Sequence, residues 1–380
     1  MTTRRREFLQ TAAAAAGALS LGAVPSPAAE PRVPNSQEPL RILILGGTGF
    51  IGPHEISYAL ARGHQVTIFN RGRSQPSLFP ELYSRVEWLK GDRNGDFAAL
   101  EGREWDAVID NAAMIPRWVR ESAGLLKDAA SQYLYISTLS VYGSFPDPGM
   151  DETWPVATID DPTAEEVNGR TYGPLKALCE QEAEKAFPDR ATVVRPGLIV
   201  GPGDPTDRWT YWPVRINRGG EVLAPGDPGT LVRFIDVRDL TEWAIRLLEQ
   251  QTPGVFNAVG PRSHLSIAEM LYGIRATTSD AVSFTWVDTD FLFEHDVRPW
   301  ADMPAWLPPR DGYEGYGSIS RDRAIAAGLS FRPLAVTATD TVDWWMSLPE
   351  ERRQSPKAGL TPEREAEVLA AWDARAESDQ

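Results

Sequence analysis

Tyr172 and Lys176 stand four residues apart in the segment Tyr-Gly-Pro-Leu-Lys, and both side chains can take part in proton transfer. If the segment is helical, the phenol and the ammonium lie one turn apart on the same face. A free tyrosine titrates near pH ~10, so a phenolate base near neutrality needs about 4 kcal/mol of stabilisation, at roughly 1.4 kcal/mol per pKa unit. A cation beside the phenol supplies part of it. The spacing therefore predicts a general base, with a surface Tyr beside a solvated Lys as the alternative.

A glycine-rich turn begins at Gly46 and ends at Gly52, in the order Gly-Gly-Thr-Gly-Phe-Ile-Gly. It follows an apolar run at residues 40–45 and precedes a helix-like segment, and a second apolar run follows at residues 65–69. A tight turn between a buried parallel strand and a helix lets the backbone approach a pyrophosphate, which then lies at the positive end of the helix. Because the glycines stand in this context, they predict a dinucleotide site.

Further motifs follow in order along the chain, and with them the sequence resembles the extended short-chain dehydrogenase/reductase family, the group of NAD-dependent epimerases and dehydratases. Thr138 stands four residues before the pair Tyr142-Gly143, as the catalytic Ser or Thr of that family does. Tyr172 and Lys176 match the base of the family and its partner. The resemblance covers residues 40–335, and its later markers are residues 194–197, 234–239 and 255–260.

The resemblance implies an α/β fold with a Rossmann doubly wound parallel sheet and a smaller C-terminal α+β substrate domain. Length and composition agree, because 380 residues of which 42% are apolar can fill two cores. The site is expected in the crevice outside the carboxyl ends of the strands. The predicted segments are an NAD(P)-binding domain at 40–202 plus about 231–262, a substrate domain at about 203–230 and 263–345, and a C-terminal helical tail at 346–380.

The resemblance also implies a role for each residue of the site. Tyr172 would remove the hydroxyl proton while hydride leaves the substrate carbon, and Lys176 would lower the pKa of the phenol and hold the nicotinamide ribose. Thr138 would hydrogen-bond the reacting oxygen, with Ser137 or Ser140 in weaker support. The predicted cofactor-binding residues are Gly46, Thr48, Gly49, Phe50, Ile51, Gly52, Asn70, Arg71, Arg73, Asp92, Asn111, Ala112, Ala113, Ser137, Tyr172, Lys176, Pro196 and Gly197.

The end of the second predicted strand bears on the choice between NAD and NADP. Members of the family that prefer NAD place an acid there to bind the ribose hydroxyls. Here the position is Asn70, followed by Arg71, Gly72 and Arg73. An amide does not repel a ribose phosphate, and two guanidinium groups can pair with one. The residues favour NADP, and NAD is the alternative if the two arginines only form a basic loop.

The sequence departs from the family pattern at two places, and each departure disfavours one class of reaction or substrate. Sugar 4,6-dehydratases place Asp and Glu after the catalytic Thr, but here Leu139 and Ser140 follow it, and a leucine transfers no proton. Members that act on sugar nucleotides carry an Arg two residues before the aromatic residue of a later strand, whereas Arg233 immediately precedes Phe234. A shift of one residue points the side chain to the other face of a strand. Water elimination by that route and nucleoside diphosphate binding are both disfavoured.

Aromatic residues are frequent in the predicted substrate domain, and flat aromatic faces suit the C–H faces of a sugar ring. Core packing is the alternative, and it is favoured for each single Trp. For at least one of Trp209, Tyr211 and Trp212 lining the cleft, the two interpretations are evenly balanced. The adjacent residues 204–208 suggest a substrate loop, but the sequence does not select among their polar side chains.

The first thirty residues have the pattern of a twin-arginine export signal. Residues 4–6 are three arginines, residues 11–24 are mostly apolar, and small residues follow up to residue 29. The apolar stretch is shorter than the ~20 residues that a membrane span needs, which favours a cleaved signal at residues 1–29. The pattern predicts recognition by the twin-arginine export machinery and a periplasmic or secreted enzyme; a disordered basic tail with an Ala-rich helix is the alternative.

Charge and composition exclude several classes of partner. Removing residues 1–29 takes away three Arg and one Glu, so that 38 basic and 53 acidic residues become 35 and 52, a formal charge of −17. Such a chain should repel nucleic acid. The single cysteine, Cys179, is expected in the core, and no His, Cys and carboxylate cluster has the spacing of a metal site. In the tail, residues 340–348 and 361–376 predict helices, with tryptophans that would contact the body of the protein or a second subunit of a homodimer.

Three functions remain open from the sequence. An exported enzyme has no obvious soluble pool of reduced nicotinamide outside the cytoplasm, so a redox-neutral reaction on a sugar-like alcohol with tightly bound cofactor is favoured. The second is a net NADPH-dependent reductase or dehydrogenase of a small carbonyl or aromatic compound. The third is a non-catalytic nucleotide-binding or RNA-binding relative, which the set Thr138, Tyr172 and Lys176 and the negative charge disfavour.

Overall fold

A parallel sheet of seven strands forms the centre of the computed structural model, which describes residues 36, 38–76, 78–111 and 113–378. The proposed export signal at residues 1–29 and the predicted cofactor contact Ala112 lie outside these described residues. The strands of the described part are β1 (Arg41–Leu45), β2 (Gln65–Asn70), β3 (Glu87–Lys90), β4 (Trp105–Asp110), β5 (Ala130–Ile136), β6 (Ala191–Pro196), β7 (Ile199–Val200), β8 (Gly220–Pro225), β9 (Ile235–Asp236), β10 (Gly254–Ala258) and β11 (Val282–Val287).

The order of the central sheet is β3-β2-β1-β4-β5-β6-β10, with every pair parallel. The chain runs outward from β1 in one direction and then from β4 in the other, so the order reverses between β1 and β4. Ligands of doubly wound sheets bind at such a reversal, outside the carboxyl ends of the strands. The apolar runs at residues 40–45 and 65–69 are β1 and β2, as the sequence predicted. The predicted Rossmann fold is confirmed.

Helices cover both faces of the sheet. The α-helices of the described part are α1 (Ile51–Ala61), α2 (Pro116–Leu126), α3 (Tyr172–Ala186), α4 (Tyr211–Ile216), α5 (Val237–Glu249), α6 (Ile267–Arg275), α7 (Thr289–Glu294), α8 (Asp322–Ala326), α9 (Leu334–Ser347), α10 (Glu350–Arg353) and α11 (Pro362–Ser378).

Alternation along β1 explains why two separate cores form on the two faces. Ile42 and Ile44 point to one face and pack in the core that contains residues of α1 and α5. Leu43 and Leu45 point to the other face, toward α2 and α3. All four side chains are fully buried, as a parallel strand covered on both faces requires. Cys179 of α3 is buried in the second core, as expected.

A smaller layer lies beside the sheet and has a core of its own. Strands β8 and β11 pair in parallel there, and α4 and α6 pack near them. Trp209 and Trp212 are fully buried in this core, and Tyr211 is 7% exposed. Since none of the three lines the large cavity of the molecule, the core interpretation holds for each of them.

The C-terminal segment packs on this layer through helices. The predicted helices at residues 340–348 and 361–376 correspond to parts of α9 and α11, with α10 between them. Trp372 lies 4.9 Å from Phe291, edge to face, and Trp345 is buried, so both contact the body of the protein. Among the described residues, no helix combines the length and apolarity that a membrane crossing requires.

Candidate active site

The glycine turn brings helix α1 against the backbone of the turn. Gly46 and Gly47 have positive φ angles of 118° and 93°, which favour glycine. A Cβ atom at Gly52 would lie 2.3 Å from the carbonyl oxygen of Gly47, so any side chain there would push the helix away. Gly49 has open space on its Cβ side. The helix N-terminus therefore lies directly behind an open glycine turn, an arrangement that fits a pyrophosphate.

Asn70, at the end of β2, has a structural role that the sequence did not predict. Its amide nitrogen donates to the carbonyl of Gly46 at 2.7 Å, and its oxygen accepts from the Trp88 indole at 2.9 Å and the Gly72 backbone at 2.8 Å. The side chain thus pins the glycine turn to β2 and β3. One hydrogen of the amide nitrogen is not used by these contacts, and the assignment of Asn70 to the cofactor site stays a prediction.

Arg71 and Arg73 flank Gly72 on the exposed rim of this turn. Neither side chain has a hydrogen bond or carboxylate partner among the described residues. The side chain of Lys90 adds a third cation, since its Cε would lie 3.1 Å from a Cβ atom built on Gly72. Lys90 was missed at the sequence level, and its position at the end of β3, next to β2, is the signal that would have found it.

Asp92 and Arg93 follow the carboxyl end of β3, and their side chains make different contacts. Asp92, a predicted cofactor-binding residue, accepts a hydrogen bond from the backbone of Asn94, which shapes the loop after β3. The guanidinium of Arg93 donates to the Asp110 carboxylate and to the carbonyl of Leu45, both at 2.6 Å. Arg93 therefore ties together the ends of β1 and β4, the two strands at the reversal, and sequence reasoning gave it no role.

Asn111 lies beside a buried carboxyl group that the sequence did not indicate. Its amide nitrogen donates to Glu55 of α1, which is fully buried. Burial raises the pKa of Glu55 to about 8, and the hydrogen bond from Asn111 lowers it only in part. The second oxygen of Glu55 and the amide oxygen of Asn111 are buried without a partner among the described residues.

Tyr172 begins α3 and Lys176 lies one turn further along it, where its ammonium binds two backbone carbonyls. The Nζ atom of Lys176 donates to the carbonyls of Ile136 at 2.7 Å and of Ala113 at 3.0 Å. Burial lowers the pKa of Lys176 to about 8. Burial also raises the pKa of Tyr172, and a hydrogen bond with Thr138 and the charge of Arg208 offset this in part. Arg208 is thus one cation that favours the phenolate, and the effect of Lys176 on the phenol stays a prediction.

Thr138 follows β5 and caps a short 3₁₀ helix over Leu139–Tyr142. Its hydroxyl accepts from the backbone of Ser140 and donates to the Ser140 hydroxyl, both at 3.2 Å. Ser137 instead donates to Glu180, which also pairs with Arg195 in a buried network. Thr138 and Ser140 are therefore the hydroxyls that can assist Tyr172. Ser137 instead takes part in the buried network with Glu180 and Arg195.

One cavity of about 1060 Å³ brings Thr138, Ser140 and Tyr172 together, whereas Lys176 and the glycines of the turn are not among the residues that line it. It opens at the carboxyl ends of β5 and β6, where Pro196 and Gly197 form part of the wall. The residues that line it are Phe50, Ser137, Thr138, Leu139, Ser140, Gly143, Phe145, Ala157, Val167, Asn168, Gly169, Arg170, Tyr172, Gly173, Pro174, Pro196, Gly197, Leu198, Ile199, Asp204, Pro205, Thr206, Arg208, Trp300, Leu307, Tyr313 and Tyr316.

The suspected substrate loop, residues 204–208, forms one wall of the cavity. Asp204 binds the backbone and hydroxyl of Thr206, and the Nε atom of Arg208 donates to that hydroxyl at 3.0 Å. Asp207 points away from the cavity and is 1% exposed. The structure therefore selects Arg208 as the charged side chain that this loop presents.

Arg233 is not among the residues that line the cavity. It is 1% exposed, and its Nε atom donates to the carbonyl of Gly317. Burial, together with the charge of Arg321, lowers the pKa of Arg233 to about 9. Both terminal nitrogens are buried without a partner among the described residues, and the prediction that nucleoside diphosphate binding is disfavoured stays a prediction.

The residues present fit a nicotinamide dinucleotide. The glycine turn and helix N-terminus offer donors to a pyrophosphate, and the basic rim at Arg71 and Arg73 adjoins it. Two of the three hydrogens of the Lys176 ammonium are used by carbonyls, which leaves one for a ribose hydroxyl. The described residues contain no group of three or more His, Cys, Asp or Glu that could hold a metal ion.

Comparison with known proteins gives matches over the same part of the chain. The model of the family described as "NAD dependent epimerase/dehydratase family" matches residues 42–124 and 105–258. The chain is 28% identical to the chloroplast stem-loop binding protein of 41 kDa b from Arabidopsis thaliana, over 58% of this chain and 59% of that protein. It is 26% identical to a dTDP-4-dehydro-6-deoxy-D-allose reductase from Streptomyces bikiniensis, over 61% of this chain and 80% of that enzyme.

Among solved structures, the Bordetella bronchiseptica enzyme WbmG, crystallised with NAD and UDP, has a similar fold. The TM-score is 0.59 at 16% sequence identity, and the match covers 86% of this chain and 98% of that one. This likeness extends over the sheet and the smaller layer together. The chain spans less than two thirds of the stem-loop binding protein, so that match does not extend over the whole of the relative.

Proposed function

The chain belongs to the NAD-dependent epimerase/dehydratase family, and from this premise we propose that it interconverts a hydroxyl and a keto carbon of a sugar-like substrate by tyrosine-assisted hydride transfer. The observation that carries the proposal is the convergence of Thr138 and Tyr172 in one cavity at the carboxyl ends of β5 and β6. The enzyme is of the extended short-chain dehydrogenase/reductase type and uses a nicotinamide dinucleotide. The cycle is redox-neutral, with the cofactor tightly bound.

The chemistry of the residues follows from their contacts. Tyr172, as phenolate, accepts the hydroxyl proton of the substrate, and as phenol it returns a proton to the keto oxygen. Thr138 hydrogen-bonds the same oxygen and keeps it in line with the phenol. Leu139 is buried beside them and cannot donate a proton, which supports oxidation and reduction rather than water elimination.

The bound nicotinamide supplies the hydride acceptor and donor. Lys176 anchors the floor of that site, since it joins the carbonyls after β4 and at the end of β5 and retains one hydrogen for a ribose hydroxyl. Asn70 and Arg93 hold the strand ends and the glycine turn in register. Each of these residues thus acts by positioning rather than by proton transfer.

A preference for NADP over NAD is part of the proposal. Arg71 and Arg73 are exposed on the rim beside the glycine turn, without a partner among the described residues, and Lys90 lies next to them. Three cations on one rim favour a ligand with an additional phosphate. The absence of an acidic residue at position 70 removes the repulsion that the ribose phosphate would meet.

The redox-neutral cycle rests on the proposed export of the enzyme. A protein that folds and loads its cofactor in the cytoplasm and then crosses the membrane by the twin-arginine route has no obvious supply of reduced nicotinamide afterwards. Periplasmic or secreted localisation therefore favours a cofactor that is reoxidised or re-reduced within the same site. Epimerisation, or coupled oxidation and reduction of two substrates, satisfies this condition.

Two relatives support other functions, and the structure offers an argument on each. The similarity to a dehydro-deoxy-allose reductase supports net reduction, which would require a renewable pool of reduced cofactor. The similarity to a stem-loop binding protein supports RNA binding, but an acidic chain of net charge −15 repels a phosphate backbone. We therefore favour the redox-neutral oxidoreductase over net reduction and over RNA binding.

The test is to denature protein purified without added cofactor and to identify the released nucleotide by mass spectrometry. Our proposal predicts about one NADP, or NAD, per chain. A Gly52→Val variant is the matched control, because its side chain would displace α1 from the glycine turn and should leave the protein without nucleotide. Protein that purifies empty but binds added NADPH reversibly would contradict the redox-neutral cycle and favour the net reductase.

A further inference from the structure

Arg208 presents a fixed guanidinium to the cavity that contains Tyr172. Its Nε atom donates to the Thr206 hydroxyl at 3.0 Å, and its Cζ atom lies over the ring of Trp300, 5.7 Å from the ring centre. The two terminal nitrogens have no hydrogen bond or carboxylate partner among the described residues. The Nε atom of the guanidinium thus has a partner, and the two terminal nitrogens are left for a ligand.

The loop that carries Arg208 is held from several sides. The Asp207 carboxylate accepts two hydrogen bonds from Arg352, at 2.6 and 2.7 Å, and one from the backbone of Lys357 at 2.9 Å. The Lys357 ammonium donates to the carbonyl of Pro205 at 2.8 Å. Asp207 also has a φ angle of +59°, a conformation that a non-glycine residue keeps only when its surroundings impose it. The arginine is therefore fixed before any substrate binds.

Trp300 is also built into this wall in a constrained conformation. Its φ angle is +68°, which is unfavourable for a bulky residue. Its ring packs edge to face on Tyr316, with centres 6.2 Å apart, and both residues line the cavity. The aromatic pair gives Arg208 a rigid support and gives the cavity an apolar wall next to the cation.

The ionisable residues that line the cavity, apart from its tyrosines, are Arg170, Arg208 and Asp204. One Asp204 oxygen binds Thr206, and the other is buried without a partner among the described residues. Burial raises the pKa of Asp204, and the two arginines outnumber this one carboxyl group. The charge that a substrate meets in the cavity is therefore positive, and it is concentrated at Arg208 beside the phenol.

We propose that Arg208 binds a carboxylate of the substrate, so that the enzyme acts on a hydroxy or keto acid with an apolar ring face, such as a sugar acid. The two terminal nitrogens form a planar fork that matches the two oxygens of a carboxylate. The apolar body of the ring lies on Trp300 and Tyr316, and the reacting carbon lies at Thr138 and Tyr172. This inference rests on the proposed function and specifies its substrate class.

The experiment compares acids with uncharged partners of the same shape. Enzyme loaded with NADPH is titrated with D-glucuronate against D-glucose and with D-galacturonate against D-galactose, and nicotinamide fluorescence and calorimetry report binding. We expect at least one acid to bind 10-fold or more tightly than its neutral partner. If no acid is preferred, or if glucose 1-phosphate binds more tightly than every acid, the assignment of a carboxylate site is wrong.

Variants locate the effect at Arg208. Arg208→Gln should reduce the preference for the acid at least 10-fold, and Arg208→Lys should retain part of it because the charge stays while the fork is lost. Arg170→Gln is the matched control, since it removes the other cavity arginine and should change the preference less than 2-fold. If both glutamine variants lost the preference for the acid equally, the preference would come from the overall positive charge of the cavity, and the assignment of a carboxylate site to Arg208 would be wrong.

The result is separable from a failure of the proposed function. Nucleotide content and the fluorescence of bound NADPH are measured on the same samples before any sugar is added. A loaded enzyme without a preference for acids overturns only the carboxylate site. An enzyme that never binds the nucleotide overturns the proposed function instead. If Arg208→Gln fails to fold, the comparison of acid and neutral pairs on the native enzyme still decides the question.

Discussion

Arg352 binds the buried carboxylate of Asp207 with a single nitrogen that lies 2.6 and 2.7 Å from the two oxygens. The carboxylate belongs to the loop that presents Arg208 to the cavity, and the arginine belongs to α10 in the C-terminal segment. The side chain of Asp207 is 2% exposed and that of Arg352 is 27% exposed. The C-terminal segment, which suggested no role in catalysis from its sequence, therefore fixes the substrate wall.

Arg352→Gln should destabilise the protein and loosen this wall. Removing one member of a largely buried ion pair leaves a carboxylate with fewer donors, and the expected loss is about 3 kcal/mol in the free energy of unfolding. Urea unfolding measures it. Arg353→Gln is the control, because among the described residues Arg353 donates only to a backbone carbonyl and to Met346. A loss in Arg352→Gln no larger than in the control would contradict the role of the pair.

Arg208 should also govern the ionisation of Tyr172. Its positive charge lowers the pKa of the phenol, against the larger effect of burial, which raises it. Arg208→Gln should therefore raise the pKa of Tyr172, and a reaction that needs the phenolate should require higher pH. The measurement is a pH titration by ¹⁹F NMR of protein labelled with 3-fluorotyrosine, with the resonance assigned from Tyr172→Phe. Lys176→Met also removes a positive charge, and it should raise the pKa less than Arg208→Gln does; the opposite order would make Lys176 the controlling cation.

Tyr172→Phe should abolish turnover and retain the cofactor. The phenyl ring keeps the packing at the start of α3, but no group remains to move the proton, and positioned proton transfer contributes about 10²–10⁴-fold in rate. In enzyme loaded with oxidised NADP and mixed with the sugar acids, the transient rise in nicotinamide absorbance at 340 nm reports the first hydride transfer and measures the loss, because the complete redox-neutral cycle leaves the absorbance unchanged. Tyr313→Phe is the control, since Tyr313 lines the same cavity. A Tyr172→Phe enzyme within 3-fold of the native rate would exclude the tyrosine mechanism.

Substitutions at the end of β2 should show which residues select NADP over NAD and which hold the glycine turn in place. Arg71→Gln and Arg73→Gln should each weaken NADPH about 10-fold and leave NADH unchanged, because each removes one charge-assisted contact to a phosphate. Asn70→Asp should weaken both cofactors, because a carboxylate cannot donate to the carbonyl of Gly46. Calorimetric titration with both nucleotides measures this. An Asn70→Asp protein that simply gains NADH affinity would contradict the structural role of the amide.

The sheet and the glycine turn were predictable because their signals are local. The apolar runs of β1 and β2 and the turn between Gly46 and Gly52 lie within thirty residues of chain, and each element shows its own periodicity or steric requirement. The tail helices were predictable for the same reason. Such features depend on residues that are close in sequence, so they can be predicted from one sequence alone.

The roles of individual polar side chains were less predictable, because they depend on contacts across the fold. Asp207 and Arg352 are 145 positions apart, and no spacing rule links them. The Lys176 ammonium lies one turn from Tyr172, as the pattern indicated, yet two strand-end carbonyls determine where it points. Asn70 was placed correctly at the end of β2, but the indole that occupies its oxygen lies on the next strand.

Glu55 should make the stability of the protein depend on pH in an unusual direction. The pKa of this fully buried carboxyl is raised to about 8 by burial, against about 4.3 in an unfolded chain. Between these values the folded state keeps a proton that the unfolded state has released, so the free energy of unfolding falls as pH rises. The slope from this one group is at most about 1.4 kcal/mol per pH unit, and it vanishes below pH ~4.3 and above the folded pKa.

Glu55→Gln should remove that slope, because an amide does not titrate. Relative to the native protein, the variant should gain stability steadily from about pH 4.5 to pH 8 and then keep a constant advantage. Urea unfolding at half-unit pH intervals gives the difference, and the other titrating groups cancel in it. Glu101→Gln is the control, since Glu101 is exposed and should leave the pH dependence of the native protein unchanged. A constant difference between Glu55→Gln and the native protein across this range would mean that Glu55 is ionised in the fold, and that its contact with Asn111 stabilises a buried carboxylate.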